Sequence, residues 1–300
     1  MERNKKQLLP MILVFTIIGV AYSCRMLAML DIGGAWMSYI RAALYLLLFS
    51  LWGYSLDRRI IQTQALHCLR LTAALMLVWL ILRTLKYEFV TDLTVARYIW
   101  YLYYLPMLFI PLLGVYIALS LGKSEEYRLT EKAGFLAAVP GILFLLVITN
   151  DLHQQVFAFD SGVPGVPDNY GYSHGIFYFC SMGWMVACMF FSLALLLKKS
   201  RVPSGSKKRI RPFVIACITI LYGLLYLSGL PAIRRWLGDM NVTFCLLYAA
   251  IYESCIRCRM IQSNRGYVEL FEATTLAACI ADGSGSIVLR SRAAGEEMVC

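Results

Sequence analysis

Apolar runs about as long as a bilayer is thick recur along the whole chain, and they constrain the fold before any motif is considered. A spanning helix needs roughly 20 predominantly apolar residues. Such runs cover approximately residues 8–30, 35–56, 65–85, 97–121, 133–149, 173–197, 212–231 and 239–258, which makes eight. Composition points the same way: 60% of the residues are hydrophobic and 15% are charged, where a soluble domain carries about 25% charge. A soluble globule, a disordered chain and, despite the formal charge of +10, a nucleic-acid-binding domain are all excluded. The fold class is an all-α polytopic membrane protein, a bundle of seven or eight transmembrane helices.

The first run follows Glu2-Arg3-Asn4-Lys5-Lys6, so a signal peptide is the competing reading. Tyr22-Ser23-Cys24-Arg25 after it is not a small-residue cleavage site, which favours a retained helix. With both termini inside, eighteen Lys and Arg residues fall on the cytoplasmic side. Seven fall on the other: Arg25, Arg41, Arg83, Lys86, Arg97, Arg234 and Arg235. That asymmetry sets the orientation. Lys198 to Arg211 holds seven of the inner charges. This basic loop anchors its side to the cytoplasm, and it can also attract anionic headgroups at about 1 kcal/mol per basic residue. The ten cysteines are scattered through apolar stretches and read as small hydrophobes rather than a disulfide framework.

The tail differs in kind. Arg265 to Glu272 reads as a helix continuing out of the last span, and Leu276–Ala281 and Ser286–Leu289 read as two strands around the turn Asp282-Gly283-Ser284-Gly285. Two strands do not fold alone in water, so the chain is expected to stop inside the opening of a cytoplasmic α/β domain. The expected organisation is 1–34 as N-terminal segment and first helix, 35–261 as a seven-helix membrane domain, and 262–300 as linker and truncated domain.

Catalytic signatures are absent: no Gly-rich phosphate loop, His-Glu-x-x-His pair or Gly-x-Ser-x-Gly elbow occurs. Cys255-Ile256-Arg257-Cys258 has no second pair to complete a zinc site. The last two spans hold no lysine for a retinal Schiff base, and repeated midspan carboxylates of an ion-coupled transporter are missing. No cofactor, catalytic residue or resident metal is expected.

Two segments carry the remaining information. In Arg97-Tyr98-Ile99-Trp100-Tyr101-Leu102-Tyr103-Tyr104-Leu105-Pro106, helical spacing puts Arg97, Tyr101, Tyr104 and Leu108 near one face. Pro106 and Pro111 each remove a backbone donor and invite a kink. The rings fit an aromatic belt at the membrane boundary, and they equally fit one wall of a ligand cavity. The second segment, Thr149-Asn150-Asp151-Leu152-His153, ends an apolar helix and opens a loop without Lys or Arg up to Tyr172. Such a loop is either a solvated connector or a binding loop. His153 beside Asp151 can titrate near neutral pH or hold a metal transiently.

With the basic loop two spans later, these segments resemble the seven-helix membrane region at the N-terminus of bacterial sensor histidine kinases. Tyr252-Glu253-Ser254-Cys255 and Gln262-Ser263-Asn264, in an exit helix from Leu247 to Phe271, are similar to versions found in anaerobic Gram-positive bacteria. The resemblance covers about residues 35–275, and Thr-Asn-x-x-His is its most specific part. It implies an input module in a bacterial plasma membrane, followed by a PAS-like domain and kinase domains, and it implies a homodimer. Two departures stand out. An additional helix precedes the seven, and the phosphoacceptor His segment and ATP-binding boxes are missing from these 300 residues.

The reading that results is a sensor. A small extracellular or membrane-dissolved ligand meets Arg97, Tyr101, Tyr104, Asn150, Asp151 and His153 at the outer end, and the last helix passes the change to a cytoplasmic kinase or other output domain. Arg97 can pair with an anionic group or with Asp151. Glu253, within the last helix, needs a partner because an unpaired charge there is costly. Membrane lipids are the remaining partner, and nucleic acid is excluded. The alternatives are a transporter or membrane-embedded enzyme for a small solute or lipid, which should show internal repeats, and a scaffold that only anchors a soluble domain. No repeats are visible by eye.

Overall fold

The computed structural model describes residues 2–60, 62–121, 134–159, 172–199, 210–228 and 239–258, and beyond these 260, 261, 263, 271, 274–281, 287–291 and 293. Backbone in hydrocarbon must satisfy its own hydrogen bonds, and the chain is accordingly mostly helical. The helices are α1 (Glu2–Met29), α2 (Gly34–Asp57), α3 (Thr63–Thr84), α4 (Leu93–Leu102), α5 (Tyr104–Ser120), α6 (Ala138–Ile148), α7 (Asn150–His153), α8 (Ile176–Lys199), α9 (Arg211–Leu227) and α10 (Met240–Arg257). Each of the eight apolar runs contains a helix. Among the described residues, five stretches are long and apolar enough to cross a bilayer: Met11–Met29, Gly34–Asp57, Thr63–Phe89, Leu93–Ser120 and Ile176–Lys199. Phe135–Ile148 and Arg211–Leu227 are apolar but shorter, and α10 carries Glu253 and Arg257 within its 18 residues.

The fourth run is two helices, not one. Pro106 has no N–H for the Leu102 carbonyl and its ring crowds that turn, so α4 stops at Leu102, Tyr103 forms a turn, and α5 starts at Tyr104. Pro111 lies inside α5 without ending it. Neighbouring helices bond to carbonyls around it: the Trp184 indole donates to Leu108 O (3.2 Å) and the Tyr252 hydroxyl to Ile110 O (2.9 Å). The first turn after α3 widens into a π-helix, Leu85–Phe89.

α5 is the axis of the bundle and is buried along most of its length. Lipid offers no hydrophobic drive for one helix to leave it for another, so association rests on close packing and small residues. Gly114 illustrates this. A Cβ there would lie 2.9 Å from the Tyr252 hydroxyl of α10 and 3.3 Å from Ser192 Oγ of α8. Trp79, Met76, Leu108, Ile110, Leu193 and Tyr252 belong to the same buried core.

Charged groups sort to two ends of the bundle, as the alternation of helix direction in the sequence requires. At one end Arg83 pairs with Asp239 and with Glu88 (3.5 Å), and Arg97 with Asp151 (2.8 Å). At the other, Arg59 (2.6 Å) and Arg257 (2.8 Å) both meet Glu253, Lys199 donates to Leu119 O (2.8 Å), and Gln62 donates to Ser120 O. Glu253 therefore has two guanidinium partners, one of them on the loop after α2.

The expected exit helix from Leu247 through Phe271 is interrupted. α10 ends at Arg257, the Met260 and Ile261 N–H groups fold back onto Cys255 O, and Ser263 forms an antiparallel bridge with Ile60. Burial of Cys258, Met260 and Ile261 accounts for the turn. Farther on, β3 (Cys279–Ala281) pairs antiparallel with β4 (Ile287–Arg290), with a register shift at Ile280/Ala281. The expected turn at 282–286, most of the basic loop (200–209) and the loop from Asp160 to Gly171 lie outside the described residues.

Candidate functional site

The site is assembled where α6 ends. Thr149 bonds back to Leu145 O through its hydroxyl (2.8 Å), and one further turn, α7, follows. Gln154 closes that turn with φ 50°, and its N–H donates to Asn150 O (2.7 Å). A non-glycine residue in this left-handed region costs about 1–2 kcal/mol, and the contacts around it hold it there. The chain then reverses into β1 (Phe157–Phe159), which pairs antiparallel with β2 (Tyr172–His174): Phe157 faces His174 and Phe159 faces Tyr172. What reads from sequence as a connector is thus a two-stranded clasp at its base. Gly175 locks it, because a Cβ there would collide with the Gln155 carbonyl.

Asn150 is the pivot. Its side chain is fully buried and its amide is fully used: Oδ1 accepts from the Val156 and Phe157 N–H groups (3.0 Å each), while Nδ2 donates to Phe157 O (2.9 Å) and to the Tyr101 hydroxyl (3.3 Å). Beside it, Asp151 takes two charge-assisted bonds, from Arg97 (2.8 Å) and from the Tyr101 hydroxyl (2.7 Å). Asp92 caps α4 by accepting from Val95 N (2.9 Å), which fixes the turn that presents Arg97. Arg97 is buried, and its Nε–H has no acceptor among the described residues.

Tyr104 reaches this cluster through rings rather than polar bonds. Phe157 is fully buried and touches Trp100 (4.3 Å between centroids), Tyr101 (6.3 Å, stacked), Tyr104 (5.8 Å), Tyr172 (5.6 Å) and Tyr178 (5.8 Å). Sequence reasoning picked out two of these rings and missed Trp100, Phe157, Tyr172, His174 and Tyr178 as members. The short continuous apolar run Val156-Phe157-Ala158-Phe159 was the available signal for a strand.

His153 turns away from Asp151 toward α6. Its Nδ1 accepts from Gln155 N (2.9 Å), so Nε2 carries the proton and donates to Leu146 O (3.0 Å). The ring staples the turn. His174 stacks on Tyr178 at 4.0 Å, and burial pushes its imidazole below the ordinary histidine range. Among the described residues no group of three or more His, Cys, Asp or Glu side chains is placed to hold a metal ion.

The arrangement has two layers. A closed floor is made by Asn150, Tyr101, Tyr104 and Phe157. Above it lies a half-exposed rim of Asp151 and His153, flanked by Leu152 at 86% exposure.

Residues 40–263 match the profile of a family described as the N-terminal 7TM region of histidine kinase. The matched segment takes in the whole site and α2 from its second turn through α10, and it leaves α1 outside. Comparison with curated proteins and with solved structures gives no match.

Proposed function

We propose that this chain, which belongs to the family of N-terminal seven-helix regions of histidine kinases, detects an extracellular or membrane-borne cue at the Asp151 end and relays it through α10 to a cytoplasmic output domain. The family is that of a sensory membrane module. The observation that carries the finer reading is the Arg97–Asp151 pair: a buried guanidinium with a donor to spare, held against a carboxylate that is itself at the rim. A ligand acceptor that engages Arg97 competes with Asp151 for it, and Asp151 is one residue from the pivot that holds the clasp.

Connectivity supports the relay. α10 begins at Asp239, which is tied to Arg83 at the Asp151 end, and finishes at Glu253 and Arg257, tied to Arg59 at the other. One residue before Glu253, the Tyr252 hydroxyl donates to Ile110 O, beside Pro111 within α5. Two packings of comparable free energy, one of which binds the cue better, suffice to transmit a signal. In this reading the Asp151 end faces outward across a bacterial plasma membrane, residues 262–300 lead into a PAS-like domain and kinase domains, and the protein is a homodimer.

The test uses the full gene product that carries this segment, reconstituted in vesicles. Asp151→Asn should change basal autophosphorylation at least about fivefold, the low end of ordinary allosteric coupling. It should also change amide exchange at residues 253–261. Unchanged phosphorylation together with unchanged exchange would remove the site from the pathway.

A further inference from the structure

α10 ends where its sequence carries no instruction to end. Helices stop most readily at Gly, Asn or Pro, and Cys258-Arg259-Met260-Ile261-Gln262-Ser263 contains none of them; the first are Asn264 and Gly266. Arg, Met and Gln are among the better helix formers. The stop at Arg257 is therefore imposed by what the chain docks on. Cys258, Met260 and Ile261 are buried in the same core as Leu56 and Ile60, and Ser263 forms the antiparallel bridge with Ile60. Arg59, next to Ile60, meets Glu253 of α10 at 2.6 Å. The link between α2 and α3 is the dock, and it is held to α5 as well, through Gln62 Nε2 donating to Ser120 O.

This dock is not fully satisfied. The Arg59 Nε–H and Gln62 Oε1 are buried and have no hydrogen-bond partner among the described residues. The Met260 and Ile261 N–H groups share one acceptor, Cys255 O (2.9 and 3.3 Å). A continuing helix would give each its own, Ile256 O and Arg257 O. A buried polar network left half satisfied gives up part of its stabilisation. A segment whose local preference opposes its tertiary setting has a second arrangement close in free energy, and such conflicts are expected at functional elements.

We propose that Cys258, Met260, Ile261 and Ser263 form a latch with two settings, docked on the α2–α3 link as described above, or released, with α10 continuing through Ile261. In the released setting the Met260 and Ile261 N–H groups donate to Ile256 O and Arg257 O, and Ser263 leaves Ile60. The chain that follows is then carried along the axis of α10 instead of back to the link. Glu253 sets the balance, because its bond to Arg59 keeps the link against α10. The latch deepens the proposed relay by naming its gate, and only the effect on an output domain rests on that reading. The two settings belong to this chain alone.

The experiment is alkylation of a buried cysteine in the full 300-residue chain in lipid nanodiscs. The probe is Ile261→Cys, in a chain whose native cysteines are replaced. Ile261 is 0% exposed when docked, so iodoacetamide reaches the probe in proportion to the released population. Adding Arg59→Gln should speed alkylation at least about tenfold, the weight of one hydrogen bond between charged groups, and Arg59→Lys should react much more slowly than Arg59→Gln. Ile261→Asp, whose charge the buried seat rejects, should make the released setting the major one and give Met260 the backbone carbon shift of a helix. Unchanged alkylation in Arg59→Gln, or a non-helical Met260 in Ile261→Asp, would overturn the latch. Should Arg59→Gln fail to fold, Glu253→Gln removes the same pair and decides. Neither a cue nor a kinase enters this measurement, so its failure is distinct from failure of the phosphorylation test.

Discussion

Asn150 and Asp151 are adjacent in sequence and do different jobs, and the difference follows from what surrounds each. Asn150 spends all its polar capacity on the β1 backbone and Tyr101, so Asn150→Ala should strand two backbone N–H groups and lower stability by about 3 kcal/mol, read as a loss in thermal or chemical unfolding. Asp151 instead compensates a buried guanidinium. Arg97→Met alone should cost about 3 kcal/mol, because it leaves a carboxylate beside the clasp without its cation, whereas Arg97→Met with Asp151→Leu should recover most of that loss. A double-mutant cycle with additive costs would show that the two do not interact. His174 adds a pH dependence. Its folded-state affinity for a proton is depressed by burial, so the opened clasp binds the proton more readily. Clasp stability is then full above the ordinary histidine range and falls as pH drops through that range toward the lowered value. Trp100 fluorescence should report this loosening, and His174→Phe should flatten it. The polar spacing of Arg97 and Tyr101 was legible in the sequence, since 3.6-residue periodicity alone aligns them. The roles of Phe157 and Tyr178 were not, because they depend on a 22-residue excursion folding back onto α4.

At the scale of elements, two departures from a simple helix count have local causes. α4 and α5 part at Tyr103 because Pro106 deprives Leu102 O of its donor, and the break lets Arg97 and Tyr101 lean toward α7. The proline was visible, and it marked a kink. That Tyr103 would separate two helices depends on packing that composition does not encode. The clasp is the second case. Gly175→Ala brings a methyl carbon against the Gln155 carbonyl, so amide exchange at Phe157–Phe159 should rise sharply in that variant while α8 stays protected. Equal protection in wild type and variant would mean that the clasp does not depend on this close approach. The helical content was legible, since apolar runs of bilayer length leave the backbone little choice, and among the described residues five of the eight runs are long and apolar enough to cross a bilayer. The end of α10 was not, because Cys258, Met260 and Ile261 turn back to bury themselves where helical periodicity would have carried on.

For the whole molecule, the account rests on a bundle with two differently tied polar ends and one helix, α10, fastened at both. The proposed orientation rests on the distribution of basic residues, and the pairing of Arg83 with Asp239 and of Arg59 with Glu253 supports the alternation of the helices. Glu253→Gln should free the lower end of α10 from Arg59 and raise exchange at Ile60, Ile261 and Ser263, with the Asp151 end unaffected. The most direct measurement is accessibility in intact cells. Single cysteines replace Gln154, exposed beside the site, and Arg58, exposed at the end of α2, in a chain whose native cysteines are removed. An impermeant maleimide should label the cysteine at 154 at once and the one at 58 only after permeabilisation. Labelling of both from outside, or of 58 alone, would contradict a bundle that spans the membrane with its recognition site facing out.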